Sequence, residues 1–466
     1  MRLYPALISA AIALSLSACG GSSSDDNSNT SISGSVTPGT SGSVTPGTGG
    51  SVTPGVSGSV TTITSPTDLT TTSSCASDIT SGAAMKIGYL PNSASAAFKN
   101  TFCKYTRLVA PNGRPIHIYA QDLITNEQMI RARSILQFYL TNVENAEYGA
   151  DKTAIANKMA DNGATLLLLN GSDTGNISLS GQPLYQTENT VEGTTAYINN
   201  NYNTARDAAF EEILHLVHDT GIGIDGNPGS AGVLNTTYQA EIRAATNNAK
   251  PTSDGGSGLW ANNDPTWYNE LKAENSLTQE YLAAVIDSYY GLWGAWTGGT
   301  GGMWGGYAAK TRAEIQSKDP MGWALVDPAK PKFFSPWITY TARIDANFDG
   351  TFSLAYNASQ PYTHKSQYFL DAQLLGNLNS GITGNDQANR LTGNAGDNKL
   401  TGGKGNDTLT GGSGVDTAVF SGAVADYTIS TVNGVTTVTD KTANRDGTDT
   451  LSGIESMQFS DQTQSL

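Results

Sequence analysis

The chain has 466 residues, with 26 basic and 41 acidic side chains and a net charge of −15 at pH 7. This length allows two or three domains. The acidic balance argues against a nucleic-acid-binding protein, because the phosphate backbone requires a basic surface. The acidic balance is compatible with an exported protein.

The N-terminus has the organisation of a bacterial export signal. Met1 and Arg2 form a short basic start, and Leu3–Leu16 is apolar but too short to span a bilayer as a mature helix. The sequence Leu-Ser-Ala-Cys at 16–19 resembles a lipobox, and the resemblance implies that Cys19 is lipidated. Gly20 then favours an outer-membrane lipoprotein that faces the periplasm or the cell surface. A plain secretory signal with an extracellular product is the alternative.

Residues 20–74 predict a linker that tethers the rest of the chain. The unit GSVTPGT or a close variant recurs at Gly34, Gly42, Gly50 and Gly58. One Val in each unit cannot form a core, so we assign 1–19 to the signal and lipobox and 20–74 to the linker. Cys75 and Cys103 follow, and two thiols in an exported protein predict a disulfide.

The composition becomes globular from Cys75 onwards. Tyr105–Ala110 and Pro115–Ala120 flank a Pro-Asn-Gly turn and predict a β-hairpin. A capping box at Thr125 predicts a helix to about Leu140, and Ala164–Leu169 predicts a buried strand. This mixture of elements predicts an α+β domain over residues 75–375.

The segment Asn203–Ile224 predicts an amphipathic helix with an unusual polar face. Glu211 and His215 are four residues apart, so both can bind one metal ion, and Glu212 beside them can act as a general base. The sequence EEILH resembles the zinc-peptidase motif HExxH with Glu in place of the first His. A solvated polar face on an ordinary amphipathic helix is the alternative.

A second amphipathic helix is predicted from Ser276 to Gly291. The sequence QEYLAAVIDSYYG resembles the second zinc helix of thermolysin-like peptidases, and more closely that of the anthrax-lethal-factor-like group. The resemblance implies Glu280 as the third zinc ligand. His218 is the alternative ligand, in place of Glu211, or a residue behind the metal site. The alternative to a zinc ligand is that Glu280 is an ordinary surface acid near the start of a helix.

Downstream, the sequence Asp345–Gly350 begins like an EF-hand loop. Its twelfth position is Tyr356 rather than Glu, so we predict a hairpin turn instead.

The C-terminal section contains four nonapeptides over Gly384–Val419: GNDQANRLT, GNAGDNKLT, GGKGNDTLT and GGSGVDTAV. They resemble the RTX calcium-binding repeat GGxGxDxUx, which implies a parallel β-roll. Glycines permit the tight turns, and the sixth residue contributes a ligand. The predicted calcium-binding residues are Asn389, Asn398, Gly402, Gly403, Gly405, Asp407, Gly411, Gly412, Gly414 and Asp416. Asp446 and Asp449 in the β-rich tail are possible further ligands.

Together these patterns predict an α+β metallopeptidase-like domain followed by an all-β parallel β-roll at 376–466. Calcium and zinc are the expected cofactors, with Glu212 as catalytic base and Glu211, His215 and Glu280 as zinc ligands. The expected partners are a membrane, through the lipid anchor, and a protein or polymeric substrate. A non-catalytic, calcium-stabilised adhesin or binding protein is the alternative.

Overall fold

The computed structural model describes residues 61–62, 75–173, 178–199, 207–224, 232–296 and 306–466. Cys19 and the predicted linker, apart from Thr61 and Thr62, lie outside the described residues. So does Thr204, whose capping-box spacing to Asp207 predicts the start of the Asn203–Ile224 helix. Within the described part of the chain, no helix is long and apolar enough to span a bilayer.

The first part of the described chain mixes helices with one five-stranded sheet. The strands are β1 Thr61–Thr62, β2 Lys104–Val109, β3 Pro115–Ala120, β4 Thr165–Leu169 and β5 Gln182–Tyr185, in that spatial order. β2 and β3 form the predicted antiparallel hairpin, whereas β3, β4 and β5 run parallel. A disulfide between Cys75 and Cys103, with Cα atoms 5.9 Å apart, joins the first helix to the start of β2.

The helices lie before, between and after these strands. They are α1 Ala76–Gly82, α2 Ala96–Thr101, α3 Asn126–Leu140, α4 Thr153–Asp161, α5 Thr195–Asn199, α6 Ala209–Val217, α7 Tyr238–Ala249, α8 Pro265–Glu274, α9 Leu277–Tyr289, α10 Arg312–Lys318, α11 Pro320–Val326 and α12 Thr363–Ser366. α3 begins at the predicted capping box, in which Thr125 and Gln128 each bond the other's main-chain N–H. α9 begins one residue after Ser276, but the Ser276 hydroxyl donates to Leu271 rather than capping the helix.

The C-terminal part is a stack of short parallel strands in two sheets. One sheet contains β6 Ala342–Ile344, β8 Asp371–Leu374, β10 Arg390–Thr392, β12 Thr408–Thr410 and β16 Thr448–Ser452. The other contains β7 Thr351–Ser353, β9 Gly381–Thr383, β11 Lys399–Thr401, β13 Thr417–Val419 and β17 Ser456–Gln458. Successive repeats alternate between the sheets, as in a β-roll. One apolar side chain of each strand points inward and is fully buried: Ile382, Leu391, Leu400, Leu409 and Ala418.

The parallel stack begins at Ala342, earlier than the domain boundary at 376 that the repeats indicate. β6 and β7 pair with β8 and β9 in the same way as later strands pair, although they lack the glycine and aspartate pattern. The prediction of a hairpin at Asp345–Gly350 is also wrong. β6 and β7, on either side of this turn, belong to different sheets, so the turn is one winding of the roll.

The roll rests on the helical part through its first strands. The main-chain N–H of Asp345 donates to the carbonyl of Glu192 at 2.8 Å, and Arg343 pairs with Glu127 at 2.7 Å. One continuous cluster of buried apolar residues extends through both parts. At the far end, the antiparallel hairpin β14 Tyr427–Val432 and β15 Val435–Asp440 packs beside β16, and β18 Thr463–Ser465 pairs with β17.

Candidate metal sites

Two helices bring the three predicted zinc ligands together. Glu211 and His215 lie one turn apart on α6, and Glu280 lies in the first turn of α9, which packs against α6. One ligand atom from each of the three lies within 4.8 Å of the other two. The imidazole Nε2 of His215 is 3.7 Å from Oε1 of Glu280. The group is therefore compact enough for all three side chains to bind one metal ion.

All three side chains are buried, with exposed fractions of 1% for Glu211, 2% for His215 and 3% for Glu280. The alternative of a solvated polar face on α6 is therefore wrong, and so is that of a surface acid at Glu280. Two carboxylates this close repel each other in a low-dielectric interior, and a cation between them removes that repulsion. Imidazole with carboxylate is a donor set that suits zinc or another divalent transition metal.

The electrostatic surroundings also favour a cation. Burial, together with the negative charges of Glu280 and Glu270, raises the pKa of Glu274 to about 7. Glu274 lies at the end of α8, three residues before α9 begins. The charges of Glu280 and Glu270 thus add to the effect of burial on Glu274 and favour its protonated form.

Glu212, the predicted base, lies on the other side of the imidazole. Its Oε2 atom is 3.6 Å from Nδ1 of His215 and accepts a hydrogen bond of 2.6 Å from Nε2 of Gln182 on β5. A carboxylate at Nδ1 favours the tautomer that leaves the Nε2 lone pair, which faces Glu280, available for a metal. No sequence pattern indicates Gln182, which lies in a different element.

His218, the alternative ligand, is not a member of the group. Its Nε2 atom is 2.6 Å from Oε1 of Gln239 on α7, and the Nε2 atom of Gln239 donates to the Thr278 hydroxyl at 3.1 Å. Burial lowers the pKa of His218 to about 4, so the ring is neutral at physiological pH. His218 stands at the start of a π-helical turn, His218–Ile222, that ends α6. The contacts indicate that it links α6, α7 and α9 behind the site.

A buried ion group fixes the start of α6. Arg131 on α3 donates to both oxygens of Asp207 at 3.0 and 2.6 Å and to Glu192 at 2.8 Å, and all three side chains are buried. Asp207 also accepts from the main-chain N–H of Ala209, the first residue of α6. These partners lie far apart in the sequence, and no local motif marks them.

We expect Asp207→Ala to lower the free energy of unfolding by about 3–5 kcal/mol, because it leaves the Arg131 charge buried without its main partner. Asp161→Ala is the matched control, since Asp161 pairs with Arg114 on the surface and its loss should change little. Urea unfolding followed by tryptophan fluorescence, with calcium present, measures both. Equal destabilisation by the two variants would contradict the assigned role of the ion group.

The predicted calcium residues lie in the turns of the roll. The turns form two edges, one with residues 384–389 and 402–407 and the other with residues 375–380, 393–398 and 411–416. On the first edge, the main-chain N–H of Asn389 donates to Oδ1 of Asp407 at 2.7 Å. The main-chain N–H of Asp407 donates in turn to Oδ1 of Asp449 at 2.9 Å. On the second edge, the main-chain N–H of Asn398 donates to Oδ1 of Asp416 at 2.8 Å. The main-chain N–H of Asp416 donates to Oε2 of Glu455 at 2.7 Å. The carboxylates are therefore stacked along each edge, and Glu455 is a member that sequence reasoning missed.

The glycines of the last two repeats allow this stacking. A Cβ atom at Gly402 would lie 2.2 Å from Oδ2 of Asp407, and one at Gly411 would lie 2.4 Å from Oδ2 of Asp416. The remaining predicted glycines have positive φ angles that side chains disfavour. They are Gly403 at 92°, Gly405 at 121°, Gly412 at 118° and Gly414 at 117°.

The sixth-position aspartates of the last two repeats are buried, and one oxygen of each accepts no hydrogen bond from the described residues. Asp407 and Asp416 are 1% and 0% exposed, and Oδ2 of each has no hydrogen-bond partner among the residues described. Burial raises the pKa of Asp407 to about 7, and burial with the Asp407 charge raises that of Asp449 to about 8. An ionised carboxylate oxygen in this setting requires a cation. Asp446 accepts from Ser421 and Tyr427 instead, so its oxygens are already engaged.

Comparison with known proteins identifies the repeats. Residues 383–418 match the family model of the RTX calcium-binding nonapeptide repeat in four copies. No curated protein matches the chain. The chain thus carries calcium-binding RTX repeats in its parallel-strand roll, and calcium is a ligand of this protein.

Proposed function

We propose that this chain is an exported calcium-binding protein whose α+β domain is a zinc-dependent endopeptidase. One observation carries the proposal: Glu211, His215 and Glu280, chosen for their resemblance to peptidase zinc ligands, lie within 4.8 Å of one another. Two neighbouring helices present them, as the resemblance implies. The RTX roll then acts as a calcium-dependent support for the domain.

The donor set fits zinc, which binds His and carboxylate ligands and leaves a position open for catalysis. When bound, zinc supplies a Lewis acid that polarises a carbonyl. Glu211 and Glu280 would neutralise the ion, and His215 would bind it through Nε2. Glu212 would either accept a proton from water or hold the Nδ1 proton of His215, and the two roles differ in the effect of losing the carboxylate.

Hydrolysis of casein by the purified full-length protein tests the proposal. EDTA would also remove calcium, so 1,10-phenanthroline is used with millimolar calcium present throughout. We expect phenanthroline to stop cleavage and added zinc to restore it. Cleavage that phenanthroline leaves unchanged, or no cleavage by zinc-loaded protein, would contradict the peptidase function.

Glu212→Gln separates the two roles of this residue. As the general base, Glu212 should contribute at least about 100-fold to the rate, so the variant loses cleavage and keeps its zinc. As the partner of Nδ1 alone, it should contribute about 10- to 100-fold to zinc affinity, because the amide no longer stabilises the ligand ring. Zinc titration and casein cleavage are measured on the same preparation. An unchanged rate and affinity would remove Glu212 from the site.

The almost complete burial of the three ligands favours a second function. A metal enclosed by Glu211, His215 and Glu280 can stabilise the helical domain without reaching a substrate. The chain would then be a calcium-stabilised adhesin or binding protein at the cell surface. Stoichiometric zinc without any cleavage would establish this function in place of the first.

We also propose that Cys19 is lipidated and anchors the protein in the outer membrane. The support is the lipobox behind an apolar segment, since several acyl chains anchor firmly. Cys19→Ala should move the protein from the membrane fraction to the soluble fraction or leave it unprocessed. Detergent phase partitioning with immunoblotting measures this, and unchanged membrane association would contradict lipidation.

A further inference from the structure

The four repeats fall into two chemically different pairs. The first two carry Asn at their second and sixth positions, whereas the last two carry Gly and Asp at these positions. The residues are Asn385 and Asn389, Asn394 and Asn398, Gly403 and Asp407, and Gly412 and Asp416. We call the first two repeats the inner turns, since they lie nearer the helical domain, and the last two the outer turns.

The side-chain amides of the first inner turn donate to the winding beneath it. Asn385 Nδ2 lies 3.1 Å from the carbonyl oxygen of Gln367 and 2.9 Å from that of Phe369. Asn389 Nδ2 lies 3.1 Å from the carbonyl oxygen of Leu370 and 3.0 Å from Oδ1 of Asn385. Both asparagines are buried. The space between these two windings is therefore filled by N–H donors.

The second inner turn repeats this arrangement on the opposite edge. Asn394 Nδ2 lies 3.0 Å from the carbonyl oxygen of Leu375 and 3.1 Å from that of Leu378. Asn398 Nδ2 lies 3.0 Å from the carbonyl oxygen of Ser380 and 3.0 Å from Oδ1 of Asn394. The same two repeat positions thus form the same hydrogen bonds twice, in separate places.

The outer turns have no amide at these positions. Gly403 and Gly412 have no side chain. A Cβ atom would lie 2.9 Å from the carbonyl oxygen of Asn385 at Gly403 and 2.2 Å from that of Asn394 at Gly412. Asp407 and Asp416 each keep one buried oxygen without a hydrogen-bond partner among the described residues. The carbonyl of Asn394 accepts the main-chain N–H of Ser413 at 3.1 Å, but no side-chain amide stands between these carbonyls and the carboxylates. Carbonyl and carboxylate oxygens therefore face each other there, as they do around a calcium ion.

We propose that the amide groups of Asn385, Asn389, Asn394 and Asn398 take the place of calcium in the inner turns. Their N–H dipoles satisfy the carbonyls that a cation would otherwise attract. The amide hydrogens also repel a cation, so calcium binds only at the outer turns of Asp407 and Asp416. The inner turns therefore fold on the helical domain without calcium, and calcium controls only the outer turns and the tail.

Calcium stoichiometry of the full-length protein tests this assignment. Asn389→Ala should leave the number of bound calcium ions unchanged, whereas Asp407→Asn should lower it by one. The double variant Asn385→Gly with Asn389→Asp recreates the outer-turn chemistry and should bind one more ion than the wild type. Loss of an ion in Asn389→Ala, or no gain in the double variant, would overturn the proposal. Asn398→Ala provides the same comparison on the other edge if Asn389→Ala does not fold.

Hydrogen exchange of the unmodified protein gives a test without substitutions. In calcium-free buffer, we expect slow amide exchange at β9 and β10 and fast exchange at β12 and β13. Calcium should slow exchange at β12 and β13 by at least tenfold and change β9 and β10 little. Equal loss of protection in all four strands would overturn the proposal.

Discussion

The proposed zinc site predicts that purified wild-type protein carries a transition metal and that His215→Ala loses it. The imidazole is the only neutral ligand of the group, and the two remaining carboxylates offer a weaker and more charged site. Loss of an outer-shell partner alone costs about 10- to 100-fold in metal affinity, so loss of the ligand should exceed about 100-fold. Inductively coupled plasma mass spectrometry of the protein after gel filtration measures the metal content.

His218→Ala is the matched control. His218 is equally buried and one turn away, so its removal leaves a similar cavity, but its ring bonds Gln239 rather than the metal group. It should destabilise the protein and leave the metal content near one ion per chain. Metal loss in both variants would mean that the helix has unfolded, and metal retention in His215→Ala would contradict the assigned ligand.

Removal of calcium should unfold the outer turns at pH 8 and much less at pH 5. The pKa of Asp407 is raised to about 7 and that of Asp449 to about 8 by burial. Their unfolded pKa values are about 3.9. The calcium-free fold therefore favours the protonated acids, so its stability is greatest below about pH 4 and falls as pH rises through 7 and 8. Bound calcium compensates the ionised carboxylates and removes this dependence.

Thermal unfolding of protein passed over a chelating resin tests this prediction, since EGTA binds calcium poorly at low pH. Circular dichroism should show a melting temperature of the roll that falls from pH 5 to pH 8.5 without calcium and stays nearly constant with it. Asp407→Asn should reduce the slope, because one of the two titrating acids is absent. A calcium-free melting temperature that rises over this range would contradict the prediction.

The repeats could be predicted because their period defines both the strand and the turn. A nine-residue spacing places Leu391, Leu400 and Leu409 on the inside and residues 389, 398, 407 and 416 at the turns. Where the period is absent, no pattern in the sequence indicates the roll, so β6, β7 and β8 could not be assigned. The asparagines at 385 and 394 did carry a signal, since they recur in phase with Asn389 and Asn398.

The proximity of Glu211, His215 and Glu280 could be predicted because helical spacing places Glu211 above His215 and a resemblance indicates Glu280. Helical spacing does not predict the environment of each side chain. The polar arc of α6 is buried because α3, α9 and β5 pack around it, and those contacts join residues far apart in the chain. Gln182 at Glu212 and Arg131 at Asp207 follow from the same long-range packing, and local patterns do not encode them.

Anomalous diffraction from crystals of the full-length protein, recorded on either side of the zinc absorption edge, tests the central claim most directly. The proposed function predicts one strong peak between Glu211, His215 and Glu280, present above the edge and absent below it. A map without a peak there, from protein purified with zinc and without chelator, would contradict the metal site and the peptidase function that depends on it.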